Sequence, residues 1–201
     1  MPNIILASKS KVRKEILDNH IIKSKVEASN VDEDPVKESL LNEGASPEII
    51  SKNLAELKAN KVSQKNYDVL VLGADSVIDL NGELISKPEN RIEAFNILKK
   101  LNGKKHSLIS SVCISKNGSM TWNYTDKAYL TMKNFSDEQL REYLEKITDE
   151  ALYAYNVYQI EGEGRSLFAS IDGDENTIMG LPIICLLYTS DAADEGLGGD
   201  L

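Results

Sequence analysis

The sequence predicts a mixed α/β fold, on three observations. The run Tyr67-Asp68-Val69-Leu70-Val71-Leu72-Gly73-Ala74-Asp75 is continuously apolar at its centre and reads as a buried strand. Asn81-Gly82 and Asn117-Gly118 lie between β-rich runs, the strongest short-range signal for hairpins. Helical faces opened by serine caps, at Ser46 and Ser136, are interspersed with these strands.

In chain order, Asn3-Ile4-Ile5-Leu6-Ala7 is a short apolar strand, Ser8 to Arg13 turns polar and basic, and Lys14-Glu15-Ile16-Leu17 resumes as an amphipathic helix. A helix N-terminus presents unpaired N–H groups and the positive end of the macrodipole, so hydroxyls and cations here make an anion seat that fits a phosphate. The other reading is a capped surface helix with solvated lysines, because the glycine-rich phosphate loop is absent. Val31-Asp32-Glu33-Asp34-Pro35 reads as a compact acidic turn, either a metal site or three solvated carboxylates. Ser46-Pro47-Glu48 opens a helix to about Gln64 with Ile50, Leu54, Leu57 and Lys61 along one face. Ligand chemistry in α/β folds gathers at the carboxyl ends of strands, which makes Asp75, at the end of the buried run, the best functional candidate among the acids.

Ser76–Leu80 leads through Asn81-Gly82 into Glu83–Ser86, and Lys87-Pro88 closes the hairpin; Lys87 reads equally as a phosphate ligand or a surface lysine. Arg91–Leu101 is a helix stopped at Asn102-Gly103. His106–Ser115 and Met120–Met132 are strands, and Ser136 with Gln139 forms a capping box for a helix over 137–146. Tyr158 to Gly164 is punctuated by glycines that either admit a ligand close to the backbone or only bend the chain. A strand over Ser166–Ile171 and the turn Asp172-Gly173-Asp174 follow.

A chain of 201 residues with 41% hydrophobic and 27% charged residues suits one globular domain. The start has no basic stretch followed by an apolar core, and no segment approaches the roughly 18 apolar residues of a membrane span, so the expectation is a cytoplasmic protein with no membrane partner. Cys113 and Cys185 sit among apolar neighbours as buried thiols, and His20 and His106 alone do not make a zinc centre. A net charge of −9 argues against nucleic acid, yet residues 1–30 hold six cations against three acids. An acidic protein that handles a polyanion needs such a patch, together with a divalent cation.

Seven motifs then carry a resemblance. Leu6-Ala7-Ser8-Lys9-Ser10 with Arg13 and Glu15, the Val31-Asp32-Glu33 turn, Leu54-Ala55 with Lys58-Ala59, and Gly73-Ala74-Asp75-Ser76 come first. Gly82-Glu83 with Lys87-Pro88, Tyr158-Gln159-Ile160-Glu161-Gly162, and Gly180-Leu181-Pro182 complete the series. In this order, over about residues 3–187, the chain resembles the Maf family. The resemblance implies an elongated mixed sheet with flanking helices, similar to the inosine-triphosphatase type, with two lobes around a central cleft in one domain over 1–187. It implies a nucleoside triphosphate pyrophosphatase that cuts between the α- and β-phosphates, clears modified or excess nucleotides, uses Mg²⁺ or Mn²⁺, and forms a homodimer. By position, Asp75 resembles the catalytic carboxylate and a metal ligand, and Glu33 the other metal-associated acid. Ser8, Ser10, Arg13, Lys58 and Lys87 resemble triphosphate ligands, with Ser76 as a further substrate contact. The chemistry agrees, since hydrolysing a phosphoanhydride needs neutralised nonbridging oxygens and a water activated by a carboxylate.

The chain departs from the family pattern at Lys11, where proline is usual, at Val12, where arginine or tryptophan is common, and at Tyr155-Asn156, where small residues are usual. Glu161 carries the base choice in this resemblance: glutamate goes with 7-methyl-GTP and glutamine with dTTP and UTP. A carboxylate accepts from guanine N1–H and N2–H₂ and favours a methylated, cationic base. The alternatives are a dTTP/UTP pyrophosphatase, an inosine-triphosphate type enzyme, against which the Ser-x-Ser motif speaks, and a non-catalytic nucleotide-binding regulator of septum formation. Asp75 and Glu33 favour catalysis, because a pure binder gains nothing from carboxylates facing a polyanion without a metal. Residues 188–201 hold four acids, no base and three glycines, and are expected to be a non-native or disordered acidic tail.

Overall fold

A computed structural model describes residues 4–149, 152, 157–160 and 162–183. Seven strands form one mixed sheet in the order β2-β1-β3-β5-β6-β7, with β4 paired to β3 off that path. The strands are β1 (Ile4–Leu6), β2 (Ser24–Val26), β3 (Val71–Leu80), β4 (Glu83–Ile85), β5 (Lys105–Lys116), β6 (Ser119–Met132) and β7 (Phe168–Asp172). The helices are α1 (Lys11–Asn19), α2 (Asp34–Asn42), α3 (Pro47–Ser63), α4 (Arg91–Leu101), α5 (Asp137–Lys146) and α6 (Glu175–Ile178). Among the described residues no helix is long and apolar enough to cross a membrane.

The long strands carry the molecule. β5 pairs with β3 without a break from Val71↔Ser115 to Asp79↔Ser107, and with β6 along nearly its whole length. Asn81 and Gly82 both take positive φ, 55° and 90°, as the tight β3–β4 hairpin requires. Two main apolar clusters sit at opposite ends of these strands. One gathers Leu6, Val12, Ile16, Leu17, Leu72, Ala74 and Val112 beneath α1. The other gathers Ile78, Leu80, Leu98, Leu101, Leu130 and Leu140 beneath α4 and α5.

The opposite edge of β3 is forked. β1 runs parallel to it only as far as Leu6↔Leu72, and β4 runs antiparallel to it only from Ile78↔Ile85 onward. Between them, Gly73 to Val77 have no strand neighbour on that edge among the described residues, and this opening is the root of the cleft.

Several local expectations change. β3 does not end at Asp75 but starts at Val71 and continues to Leu80, because its ladder with β5 is unbroken; the strand whose carboxyl end leads into the cleft is β1, which stops pairing with β3 at Leu72. The acidic turn at 31–35 is the entry to α2, with Glu33 as N-cap residue and proline in the first turn. α1 begins at Lys11 behind a Ser10 cap. β2, three residues long, pairs with β1 where no strand was expected. Ser166 and Leu167 belong to a 3₁₀ turn over Glu163–Leu167, so β7 starts at Phe168, and Asp174 caps the short α6. Cys113 is a buried free thiol, whereas Cys185 and the tail lie outside the described residues.

Candidate active site

A cleft of about 510 Å³ opens at the fork of β3. Ser8, Ser10, Arg13, Glu33, Lys58, Asp75, Ser76 and Lys87 all line it, so eight residues singled out in the sequence share one cavity. Glu161, Tyr155 and Asn156 lie outside the described residues.

Successive residues of a strand face opposite sides of the sheet, and β3 uses this at the fork. Asp75 faces α3, where Lys58 Nζ donates to its Oδ1 at 2.7 Å and Ser51 Oγ donates to its carbonyl at 3.1 Å. Ser76 faces the α1 side, where Arg13 Nη2 donates to its Oγ at 3.2 Å. α3 comes this close because residue 73 has no side chain. A Cβ there would lie 2.2 Å from the Ala55 carbonyl oxygen and 2.7 Å from the Ala59 nitrogen.

Lys58 is the electrostatic centre, since its ammonium also meets Glu33 Oε1 at 2.8 Å and so joins the two carboxylates. Burial pushes the Asp75 carboxyl above its ordinary range, and Lys58 opposes this only in part. Burial pulls Glu33 in the same direction, but Lys58 and Lys37 outweigh it and hold that carboxyl down at about 2. Lys37 lies one helical turn beyond Glu33, 3.3 Å from its Oε2. Lys87 is exposed at the rim, yet the cleft walls and then the charge of Arg13 push its ammonium below the usual value.

The Ser8–Arg13 segment is organised from within. Ser10 caps α1 by accepting from the Arg13 backbone N–H at 3.3 Å. Ser8 Oγ accepts from the Ser10 N–H at 3.2 Å and from Arg13 Nη1 at 3.3 Å. With both lone pairs engaged, the Ser8 hydroxyl has its proton left to offer an anion. Arg13 also donates from Nη1 to the Ala74 carbonyl at 2.9 Å and from Nε to the Gly180 carbonyl at 2.8 Å. Among the described residues, four of its five N–H groups are thus committed to the protein, and one Nη2–H remains. Burial pushes its guanidinium down and Asp75 and Glu33 pull it back, leaving it a cation.

The divalent cation implied by the resemblance can be tested against these donors. Among the described residues Asp75 Oδ2, which is buried, has no hydrogen-bond partner, and its carboxylate shares Lys58 with that of Glu33. Among the described residues no group of three or more Asp, Glu, His or Cys side chains gathers there. Two carboxylates suit a hard cation of the magnesium type, which takes one or two protein oxygens and completes its shell with substrate phosphates and water. Sequence reasoning missed Lys37, Ser51, Ser110 and Thr177. Lys37 is readable as an i+4 partner of Glu33 once the helix start at Asp34-Pro35 is recognised; the others depend on contacts distant in sequence.

The family model described as Maf-like protein matches residues 3–190. A nucleoside triphosphate pyrophosphatase of Pelagibacter ubique (strain HTCC1062) is 69% identical over 90% of this chain and 92% of its own. A 7-methyl-GTP pyrophosphatase of Brucella abortus biovar 1 (strain 9-941) is 38% identical over 92% of both chains. Among solved structures, the Staphylococcus aureus Ham1 protein is 16% identical, covers 65% of this chain and 71% of its own, and has a TM-score of 0.39. By the extent of the family match and the identity of these relatives, the chain belongs to the Maf-like protein family.

Proposed function

We propose that this protein is a nucleoside triphosphate pyrophosphatase, hydrolysing the anhydride between the α- and β-phosphates to a nucleoside monophosphate and pyrophosphate. The observation that carries the reading is the cleft itself: a buried carboxylate with an orphaned oxygen stands in one cavity with a hydroxyl-rich helix N-terminus and the cations Arg13, Lys58 and Lys87. Water adds to phosphorus while the anhydride oxygen leaves with its electron pair, so the site must take a proton from water and spread charge over phosphate oxygens. Asp75, raised by burial toward proton-accepting range, is the proposed base. Ser8 and Ser10 donate to the phosphates, and Arg13 and Lys87 neutralise them. Lys58 supplies charge at the carboxylate end of the seat. Asp75 Oδ2 and Glu33 would hold Mg²⁺ or Mn²⁺, which when bound supplies charge neutralisation that side chains alone do not match.

For the base, we propose 7-methyl-GTP, on the glutamate at position 161 and on the likeness to 7-methyl-GTP pyrophosphatases. Leu84, Leu108, Ile160 and Ile178, which also line the cleft, offer the apolar surface a base needs. A homodimer in the cytoplasm, without nucleic acid, completes the proposal; the net charge of −9 supports the last point.

The test is a panel of 7-methyl-GTP, GTP, dTTP and UTP with Mg²⁺ or Mn²⁺, separating pyrophosphate from phosphate among the products. Pyrophosphate as the sole inorganic product is expected, with 7-methyl-GTP fastest. Asp75→Asn should slow turnover by roughly two to four orders of magnitude, the usual worth of a general base. Release of phosphate, or a folded Asp75→Asn variant with undiminished turnover, would refute the assignment.

A further inference from the structure

Ser110, on β5, is wholly buried, yet it belongs to a chain of hydrogen bonds that begins at Arg13 in the cleft. The polarity of that chain follows from counting protons. Ser110 Oγ lies 2.7 Å from the Thr177 carbonyl oxygen, which only accepts, so the single Ser110 hydroxyl proton is spent there. Ser76 Oγ, 2.9 Å from Ser110 Oγ, must therefore be the donor of that pair. Arg13 Nη2 in turn donates to Ser76 Oγ. All the protons run one way, from Arg13 through Ser76 and Ser110 to Thr177.

The far end is anchored and the chain closes into a ring. Thr177 Oγ1 donates to Asp126 Oδ2 at 2.6 Å, and its backbone N–H donates to the Asp174 carboxylate at 3.1 Å. The Gly180 N–H donates to the same Thr177 carbonyl at 3.1 Å, while the Gly180 carbonyl accepts Arg13 Nε. The ring has no slack: a Cβ on Gly180, whose φ is +94°, would lie 2.9 Å from Ser76 Oγ and 3.4 Å from Arg13 Nη2.

We propose that Ser110 is a positioning residue, which through this one-way relay keeps the Ser76 hydroxyl turned inward as an acceptor for Arg13 and so aims the guanidinium at the cleft. Two hydroxyls of the cleft consequently have opposite polarity. Ser8, with both lone pairs occupied, gives its proton to an anion, whereas Ser76, with its proton committed, offers a ligand only a lone pair. Ser76 thus serves the phosphate seat through Arg13 and not by donating to phosphate. This inference rests on the reading of the Ser8–Arg13 turn as a triphosphate site.

The experiment measures Kd for inorganic triphosphate by calorimetry on the full chain, which needs no turnover and no base. Ser110→Ala and Ser76→Ala should each weaken binding by about tenfold, the worth of one hydrogen bond to a charged group. Ser110→Thr, which keeps the hydroxyl, should restore wild-type affinity. The double variant should bind no more weakly than either single one, because both cut the same relay. Additive losses would show that Ser110 only supports α6 and would overturn the relay, as would a folded Ser110→Ala with wild-type affinity. Where Ser110→Ala does not fold, Ser76→Ala alone decides, and unchanged affinity there overturns the proposal. A wild-type chain that binds no triphosphate overturns the seat and the relay together; one that binds triphosphate with additive variants overturns the relay alone.

Discussion

His106 shows how a single buried group ties the stability of the fold to pH. Its Nε2 sits 2.9 Å from the Tyr158 hydroxyl, and its ring lies 5.8 Å from both the Tyr158 and Phe168 rings, which pack edge to face with each other. Tyr158 in turn lines the cleft. Burial pushes the imidazole down to about 4, against a smaller upward pull from the Lys104 backbone. The unfolded chain takes up the His106 proton near pH 6.5 while the folded chain resists until about 4. Between these values the unfolded state binds more protons, so stability rises with pH across the window and is lost as pH falls through it. The loss approaches about 3 kcal/mol at the acid end, since each pH unit between the two values contributes about 1.4 kcal/mol. His106→Gln removes this titration, and its urea midpoint measured from pH 7 to 4 should fall less steeply than that of the wild type. Parallel profiles would show that His106 is not the group behind the acid limb.

At the level of elements, the contact of α3 with β3 decides whether Lys58 reaches Asp75. Gly73→Ala places a methyl group against the backbone of Ala55 and Ala59, which no rotamer change relieves, so α3 must move out. The expected cost is about 1–3 kcal/mol in stability, the range for overpacking, with Lys58 drawn away from the carboxylate. Turnover assayed well below the melting temperature should fall along with stability; full activity in a destabilised Gly73→Ala would separate the docking of α3 from the chemistry. The same elements show what a sequence reveals. α3, α4, α5 and the β3, β5 and β6 strands were legible, because each buries a face and so carries a period or an apolar run. α2 buries no residue, and β2 is a three-residue edge strand with mostly exposed side chains, so neither left a pattern to read. The residues of the cleft were legible through motifs in sequence order, but the Ser76–Ser110–Thr177 relay joins positions 34 and 67 residues apart and has no local signature.

Across the whole molecule, the cleft lies between the two main apolar clusters and draws on the elements around both. Ser8, Ser10 and Arg13 come from the β1–α1 end, and Leu84, Ile85 and Lys87 from the β4 end. A triphosphate held by both ends binds only the folded chain, because unfolding disperses side chains that meet solely through the fork in β3. Its binding energy is therefore added to the stability of the fold. At a hundred times its Kd such a ligand contributes about 2.7 kcal/mol. For a chain of this size each kcal/mol raises the melting temperature by roughly 2–4 °C, so the expected shift is about 5–10 °C. Inorganic triphosphate with Mg²⁺ should produce this rise in a thermal scan, and Lys87→Ala, which removes the cation contributed from the β4 end, should shrink it. An unmoved melting temperature under conditions where calorimetry shows saturation would mean that the anion binds outside the cleft, and that the two ends of the sheet are not joined through it.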